Sequence, residues 1–427
     1  MREYHPRYID RQLEETLEYM GATLIVGPKW VGKTTTAKQF ANSEIQLQNP
    51  KKTESYLKLA DVDPLLLLEG DNPRLIDEWQ MAPKLWDAVR YSVDERSEYG
   101  LYILTGSTMV DNSKIMHSGA GRITRLLMRP MSLYESGDST GEISIMDLFD
   151  NKDIKINGLT SKLSLKDIIF LACRGGWPEI LNIENKSYQL KIAQSYIQSI
   201  CESDTSIIDG VRRNPKIFEA ILKSYSRNVS TLISNTKVIE DIRENYGEIS
   251  KQTFYSYVNV LKKLYVIENI GAWSPNLKSK QKIRKSEKKG FIDPSLAVAS
   301  LGTTPQQLFQ DFKTFGFIFE SLCIRDLHVY TSSFGGKILY YNDGSLEVDC
   351  ILQLNDGRYA LIEFKLGDND IEKGAKNLLK LNQLINKKRD EGKIHILEPS
   401  FLAVITGDDV ALKRDDGVYV LPIGVLR

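Results

Sequence analysis

Cysteine is scarce in this chain of 427 residues, with four in all, and histidine is as rare, also four. Cys173, Cys201, Cys323 and Cys350 lie far apart, with no C-x-x-C pair and no histidine at ligand spacing. That excludes a disulfide framework and a zinc site of the usual spacing, and leaves scattered buried thiols in a reducing compartment as the expectation. Charge of one sign is missing too: Lys+Arg and Asp+Glu are 56 each. No global field draws the chain to nucleic acid or to an anionic surface, so any such contact needs a local patch. No apolar run approaches a membrane span, and the N-terminus is charged from Arg2 onward. We expect no leader, no membrane segment and a cytoplasmic protein. There is no internal repeat. Apolar residues at 42% and charged residues at 26% are ordinary for a globular chain, and the length suits two or three domains.

The most informative segment present is Gly27-Pro28-Lys29-Trp30-Val31-Gly32-Lys33-Thr34, followed by Thr35. It reads G-x-x-x-x-G-K-[ST], the phosphate-cradling loop of nucleotide hydrolases. The apolar run Thr23-Leu24-Ile25-Val26 before it predicts a buried strand, and Thr35 to Phe40 after it predicts a helix. In that frame the loop N–H groups and the helix N-terminus face phosphate oxygens. Lys33 would reach the β- and γ-phosphates of ATP, and Thr34 would ligate Mg²⁺.

Pro73-Arg74-Leu75-Ile76-Asp77-Glu78-Trp79-Gln80 carries the expected partner acids. Asp77, at a neighbouring strand end, would hold Mg²⁺, and Glu78 would act as general base on the attacking water. A third strand, Leu101-Tyr102-Ile103-Leu104, ends in Thr105-Gly106-Ser107. Thr105 or Ser107 would contact the γ-phosphate or the lytic water, unless they form a plain turn. In Gly119-Ala120-Gly121-Arg122-Ile123-Thr124-Arg125-Leu126, Arg122 and Arg125 are three apart. On a helix or tight turn they would share a face, and either could serve the γ-phosphate of a neighbouring subunit in a homo-oligomer. A surface pair is the alternative.

These motifs, with Gly21-Ala22, Arg129-Pro130-Met131-Ser132-Leu133-Tyr134-Glu135, Arg174-Gly175-Gly176-Trp177-Pro178 and Asp209-Gly210-Val211-Arg212-Arg213-Asn214-Pro215, resemble a known group. It is a widespread set of uncharacterised archaeal and bacterial ATP-binding proteins with an AAA+ ATPase module and a C-terminal domain of unknown function. The resemblance extends over essentially the whole chain. It implies an AAA+ parallel-sheet fold and Mg²⁺-dependent ATP hydrolysis.

Beyond residue 150 the pattern becomes helical. Ser164–Cys173 and Gln189–Glu202 read as helices and as a candidate helical lid over the nucleotide. Ile217–Arg227, Thr236–Asn245 and Ser250–Leu264 predict three helices, followed by a strand Tyr265–Ile270, the order of a winged helix-turn-helix. In the third helix Phe254, Tyr257, Leu261 and Leu264 form the core face, leaving Lys251, Gln252, Asn259, Lys262 and Lys263 off it. Lys278, Lys280, Lys282, Arg284, Lys285, Lys288 and Lys289 then make a basic segment, for duplex DNA phosphates or as a solvated linker.

The last third carries a second constellation. Phe317–Leu322 reads as a helix, and Leu339–Tyr341, Leu346–Leu352 and Arg358–Lys365 as strands. Asp349, then Glu363 and Lys365 a hairpin later, follow the pattern of PD-(D/E)-x-K nucleases, where two carboxylates bind a divalent ion and a lysine assists water. Alternation along the strand puts Glu363 and Lys365 on one face, and Glu320 offers a further acid from the preceding helix. The helix Asn377–Lys387 would cover the sheet. The C-terminal domain of the resembled group is thought to share this nuclease fold.

The expectation is therefore an α/β chain: a P-loop AAA+ ATPase with helical lid over 1–205, a winged helix-turn-helix with basic segment over 206–290, and a restriction-endonuclease-like domain over 291–427. Two functions compete. In one, ATP hydrolysis gates a DNA-binding or DNA-cleaving region. In the other, the ATP state controls a protein partner and the nuclease-like domain is inert.

Overall fold

The computed structural model describes residues 4–107, 117–150, 154–202, 211, 213–275 and 286–427. The chain divides into two compact units. One comprises residues 1–130 with the short stretches 203–213 and 259–265, and the other holds the rest.

In the first unit, α1 (Tyr8–Leu17) leads into β1 (Ala22–Val26), α2 (Lys33–Phe40), β2 (Ser43–Gln46), α3 (Thr53–Val62), β3 (Arg74–Asp77), α4 (Lys84–Arg96), β4 (Tyr102–Gly106) and β5 (Ile123–Leu127). The five strands form one parallel sheet in the order β2-β3-β4-β1-β5. Parallel strands need helical crossovers, which cover the sheet and bury the strands on both faces, hence their unbroken apolar runs. β1 and β4 are buried at every position. Leu85, Trp86, Val89 and Val93 of α4 join the core with Leu24, Ile76 and Leu104, and Trp79 lies 4.8 Å from Trp86 between ring centroids. A Cβ on Gly21 would lie 2.3 Å from Val93 Cγ1, which is why the turn into β1 requires glycine.

The sheet order corrects one expectation. Arg122 and Arg125 share neither a helix nor a turn: Arg122 closes a tight turn, its N–H donating to the Gly119 carbonyl at 3.0 Å, and Arg125 lies in β5, which begins one residue later. The alternation of Ile123 and β-branched Thr124 with their neighbours suits an edge strand.

The second unit begins with α5 (Ile145–Phe149), α6 (Leu165–Arg174), α7 (Lys186–Glu202), α8 (Pro215–Arg227), α9 (Asn235–Tyr246) and α10 (Lys251–Lys263), whose last residues fall to the first unit. Next come β6 (Gly271–Ala272), α11 (Pro294–Leu301), α12 (Pro305–Gln310), α13 (Phe312–Tyr330), β7 (Lys337–Asn342), β8 (Glu347–Gln353), β9 (Tyr359–Lys365), α14 (Asp368–Asp390), β10 (Leu402–Thr406), β11 (Leu412–Lys413) and β12 (Tyr419–Pro422). α6 starts as its residues predict: Ser164 accepts from the Asp167 N–H and the Asp167 carboxylate returns the bond, a capping box.

α6 packs on α11, α12 and α13, and α7 on α11 and α8. The helices expected as a lid in a domain ending at 205 therefore group with the C-terminal unit. Their apolar faces, with Ile168, Ile169 and Leu171 on α6 and Ala193, Tyr196 and Ile200 on α7, are buried there. The strand expected over Tyr265–Ile270 is also corrected. Tyr265 takes a left-handed φ of 58°, and the stretch makes two isolated antiparallel bridges, Ile267 with Phe291 and Ile270 with Lys288.

A buried network explains the motifs around residues 131 and 175. The Gly176 N–H donates to Asp293 Oδ2 at 3.0 Å, Trp177 Nε1 to Ser295 Oγ at 3.1 Å, and Arg325 Nη1 to Asp293 Oδ2 at 3.1 Å. Arg325 Nε donates to Asp326 Oδ1 at 2.8 Å, and Asp326 Oδ2 accepts from the Leu133 N–H at 3.1 Å. Both carboxylates and the guanidinium are buried but mutually satisfied, as burial of charge demands.

The C-terminal sheet runs β11-β12-β10-β9-β8-β7-β6. β7, β8 and β9 are antiparallel neighbours, while β9, β10 and β12 are parallel. α14 packs on β8, β9 and β10 through Ile371, Ala375, Leu378, Leu381 and Ile385. α13 packs on β7 and β9. Among the described residues no helix is long and apolar enough to cross a membrane.

Candidate functional site

The phosphate loop joins β1 to α2 with two glycines in conformations that other residues rarely adopt. Gly27 has φ 147°, and a Cβ there would stand 2.2 Å from the Met128 carbonyl oxygen. Gly32, with φ 99°, precedes the first turn of α2. Trp30 also has a positive φ, 66°, and projects from the loop half exposed. Lys33 is buried, and its ammonium donates to the carbonyl oxygens of Gly27 at 3.0 Å and Pro28 at 2.7 Å. Burial lowers its pKa to about 8, against the opposing pull of Glu78 and Asp77.

The sheet order places β4 between the loop strand and the acidic strand, so the end of β4 reaches both. Thr34 Oγ1 donates to Asp77 Oδ1 at 2.6 Å, and Thr105 Oγ1 donates to the same oxygen at 2.6 Å. Thr105 Oγ1 in turn accepts from the Glu78 N–H at 3.1 Å. That bond helps hold Glu78 in a left-handed conformation, φ 56°, which turns its side chain off the strand direction. Glu78 Oε2 accepts from Gln80 Nε2 and, at 3.3 Å, from Ser107 Oγ. The expected residues Lys33, Thr34, Asp77, Glu78, Thr105 and Ser107 thus form one cluster at the C-terminal edge of the parallel sheet, where open α/β sheets bind ligands.

Thr34 and Asp77 present hydroxyl and carboxylate oxygens within one hydrogen bond of each other, the hard donors that Mg²⁺ takes. They fit that ion. The glycine loop and the ammonium of Lys33 fit a polyphosphate.

Arg122 and Arg125 are not brought to this cluster. In the parallel register Ile123 is level with Ala22 and Arg125 with Leu24, so both precede the loop end of the sheet. At about 3.3 Å per residue Arg125 starts roughly 10 Å short of Gly27 and Arg122 roughly 20 Å. Each engages α4 instead: Arg122 Nε pairs with Asp94 Oδ1 at 2.5 Å, and the Arg125 guanidinium lies 5.4 Å from the Trp86 ring centroid. The arginine at the loop itself is one that sequence reasoning missed. Arg7, buried before α1, donates to the Val31 carbonyl at 2.8 Å and the Arg129 carbonyl at 2.7 Å. Tyr4 OH bonds Asp10 Oδ1 at 2.6 Å and Thr36 Oγ1 at 2.9 Å. A lone arginine and tyrosine in a polar N-terminal stretch carry no pattern that reveals such contacts.

In the second unit, Asp349, Glu363, Lys365 and Glu320 do come together. Asp349 lies one rung beyond the Cys350–Ile362 pair, beside Glu363. Lys365 Nζ contacts Asp349 Oδ2 at 3.0 Å and Glu363 Oε2 at 2.5 Å. The Phe364 N–H donates to Asp349 Oδ2 at 3.1 Å, and Asn377 Nδ2 to Glu363 Oε1 at 3.3 Å. Glu320 bonds Lys288 Nζ at 2.8 Å, and Lys288 lies 3.9 Å from Asp349 Oδ1. Burial and the Asp349 charge push Glu363 up to about 8, and burial pushes Glu320 up to about 7 against the pull of Lys288. Asp349 is held at about 2: burial would raise it, and the ammoniums of Lys288 and Lys365 prevail.

The basic segment needs correcting at its described end. Lys288 and Lys289 are buried, 1% and 3% exposed, so neither offers a cation to a phosphate. Lys289 Nζ donates to Asn235 Oδ1 at 2.6 Å. Lys278, Lys280, Lys282, Arg284 and Lys285 lie outside the described residues. On α10, Phe254, Tyr257, Leu261 and Leu264 are buried as expected, and Lys251, Gln252 and Asn259 are exposed.

Three families match parts of the chain: an AAA domain over residues 20–137, a domain of unknown function (DUF8612) over 165–307, and a domain of unknown function (DUF4143) over 315–426. No curated protein matches. Among solved structures, a Walker-type ATPase of Pyrococcus abyssi is 15% identical, over 68% of this chain and 94% of that one, with a TM-score of 0.40. A signal-transduction ATPase with a tetratricopeptide-repeat sensor from Pyrococcus horikoshii is 13% identical, over 76% and 48%, with a TM-score of 0.22. A DNA polymerase III gamma subunit-related protein from Thermotoga maritima is 10% identical, over 74% and 97%, also at 0.22. These likenesses are too distant to carry an argument. The phosphate loop and its acidic partners lie within the residues that match an AAA domain.

Proposed function

We propose that the chain hydrolyses Mg²⁺-ATP with Glu78 as general base, and that the nucleotide state controls contact with duplex DNA through the α8–α10 helices. The observation that carries the first part is the hydrogen-bonded chain Thr34–Asp77–Thr105–Glu78 beside the buried Lys33. Glu78 takes a proton from water as the water oxygen bonds to the γ-phosphorus. The bond from that phosphorus to the β–γ bridging oxygen breaks, and ADP leaves with the electron pair. Thr34 and Asp77 would hold Mg²⁺, which would supply positive charge to the phosphate oxygens. Lys33 exchanges its two carbonyl partners for phosphate oxygens. Gln80 and Ser107 orient the Glu78 carboxylate.

The test is Glu78→Gln. It should keep ATP binding and lower turnover by about 10²–10⁴-fold, the usual contribution of a general base. Unchanged turnover would remove Glu78 from this role.

DNA contact rests on the three-helix order and on the exposed Lys251, Gln252 and Asn259 of α10. The burial of Lys288 and Lys289 favours the second reading, nucleotide-controlled contact with a protein partner, because it takes two cations from the basic segment. A gel-shift titration with duplex DNA, with and without ATP, separates the two.

A further inference from the structure

The nuclease-like carboxylates are furnished with one more ammonium than their pattern calls for. Asp349, Glu363 and Lys365 are the three positions of the motif, and Lys365 already bridges the two acids. Lys288 is the addition. It arrives from outside the sheet, 1% exposed, with Nζ 2.8 Å from Glu320 Oε1 and 3.9 Å from both Asp349 Oδ1 and Glu347 Oε1. Asp349 is therefore spanned by cations: Lys288 approaches Oδ1 and Lys365 holds Oδ2.

The backbone keeps Lys288 there. Its N–H and C=O both pair with Ile270, each at 2.9 Å. On either side, Tyr340 OH donates to the Ser286 carbonyl at 2.5 Å and the Lys289 N–H to the Thr231 carbonyl at 2.9 Å. Gly290 presses so closely that a Cβ would meet the Glu268 carbonyl oxygen at 2.2 Å. The Tyr340 ring centroid lies 5.9 Å from the ammonium. A lysine whose backbone is held at this many points and whose side chain is buried is not a surface lysine that swings aside.

A divalent ion in such a site needs carboxylate oxygens at about 2.0–2.6 Å with free lone pairs and net negative charge to repay its dehydration. Here three buried acids, Glu320, Asp349 and Glu363, with the half-exposed Glu347 at the edge, already face two ammoniums, Lys288 and Lys365. Against the three buried acids, even with all of them ionised, adding a doubly charged ion would leave four positive charges against three negative. Among the described residues no group of three or more acidic, cysteine or histidine side chains is arranged to hold a metal. The residues do not fit the ion that their motif implies.

We infer that Lys288 is a built-in cation of this cluster, occupying the charge position that a divalent metal takes in PD-(D/E)-x-K sites, so that the C-terminal domain binds no catalytic metal and cleaves no phosphodiester. The cluster ties the segment around residue 288 to α13 and the β8–β9 hairpin. Removing the ammonium while keeping the acids converts it into a divalent-cation site.

The test compares Mn²⁺ binding by isothermal titration in wild type, Asp349→Asn, Lys288→Met and the double variant Lys288→Met/Asp349→Asn, all full-length and without nucleotide. Mn²⁺ bound elsewhere is common to all four and cancels. Wild type and Asp349→Asn should bind equally, and Lys288→Met should gain about one Mn²⁺ per chain that the double variant loses. If Lys288→Met does not fold, Lys288→Met/Glu320→Met removes the stranded charge, keeps Asp349 and Glu363, and should show the same gain. Incubation of wild type with supercoiled plasmid and Mn²⁺ should give no nicking above Asp349→Asn. Mn²⁺ binding or nicking by wild type that Asp349→Asn abolishes overturns the inference, as does a folded variant lacking Lys288 that gains no Mn²⁺.

Discussion

Lys33 carries an electrostatic penalty that a bound phosphate would relieve. Its ammonium is buried against neutral carbonyls, and burial lowers its pKa from 10.5 to about 8. A lysine with a depressed folded-state pKa destabilises the fold while charged in both states, below about 8, and the penalty fades as pH rises toward 10.5. Without nucleotide, Lys33→Met should therefore melt higher than wild type at pH 7, and the difference should shrink between pH 8 and 10.5. The same substitution should abolish the upward shift in melting temperature that ATP produces in wild type, since binding stabilises by mass action. Thermal melts across pH, with and without ATP, check both signs. At neighbouring positions Thr105→Ala should impair turnover, because its hydroxyl supports Asp77 and the Glu78 backbone together. Thr105→Ser, which keeps the hydroxyl, should restore most of the rate.

At the scale of elements, close backbone approach explains the glycines that side-chain chemistry does not. Gly176 follows α6 and donates its N–H to Asp293, and a Cβ there would meet the Met131 carbonyl oxygen at 2.1 Å. Gly176→Ala should destabilise the C-terminal unit by about 3 kcal/mol, the upper range for overpacking a rigid site, seen as a lower melting temperature. Ser164→Ala, which removes the cap of α6, should cost about 1 kcal/mol. Strand alternation accounts for the second site: Glu363 and Lys365 share a face with Tyr359 and Leu361, and the same face meets α14 at Asn377.

For the whole molecule two predictions test association. If Arg122 or Arg125 acts on a neighbouring subunit's ATP, mixing the inactive Arg→Ala protein with inactive Lys33→Ala protein should restore activity, because each supplies what the other lacks. Strictly monomeric protein during turnover rules that out. The ties of both side chains to α4 make this the harder test to pass. If α10 meets DNA, affinity should fall about 40-fold between 50 and 200 mM salt for three phosphate contacts, following counterion release. Lys251→Glu should lower both the affinity and that salt slope. Unchanged binding in Lys251→Glu removes α10 from the interface.

The phosphate loop, its strand and helix, the acids Asp77 and Glu78, and the start of α6 were legible from residue order alone. Each depends on contacts within a few residues: a glycine that must turn, a hydroxyl that must cap, an apolar run that must be buried. The same locality made the β8–β9 hairpin readable, with Asp349, Glu363 and Lys365 at their expected places. What residue order could not decide was which distant groups meet. The register of β5 on β1 moved Arg122 and Arg125 away from the loop, and Arg7 came to Val31 with nothing in its neighbours to announce it. The helices of the expected lid went to the C-terminal unit because their apolar faces found α11, α12 and α13. Most consequential, Lys288 read as one cation in a basic run. Only the packing of that segment against α13 and the sheet buried it among Glu320 and Asp349, where its charge answers theirs at 2.8 and 3.9 Å. Composition records how many charges a chain has, and tertiary structure decides which of them neutralise one another.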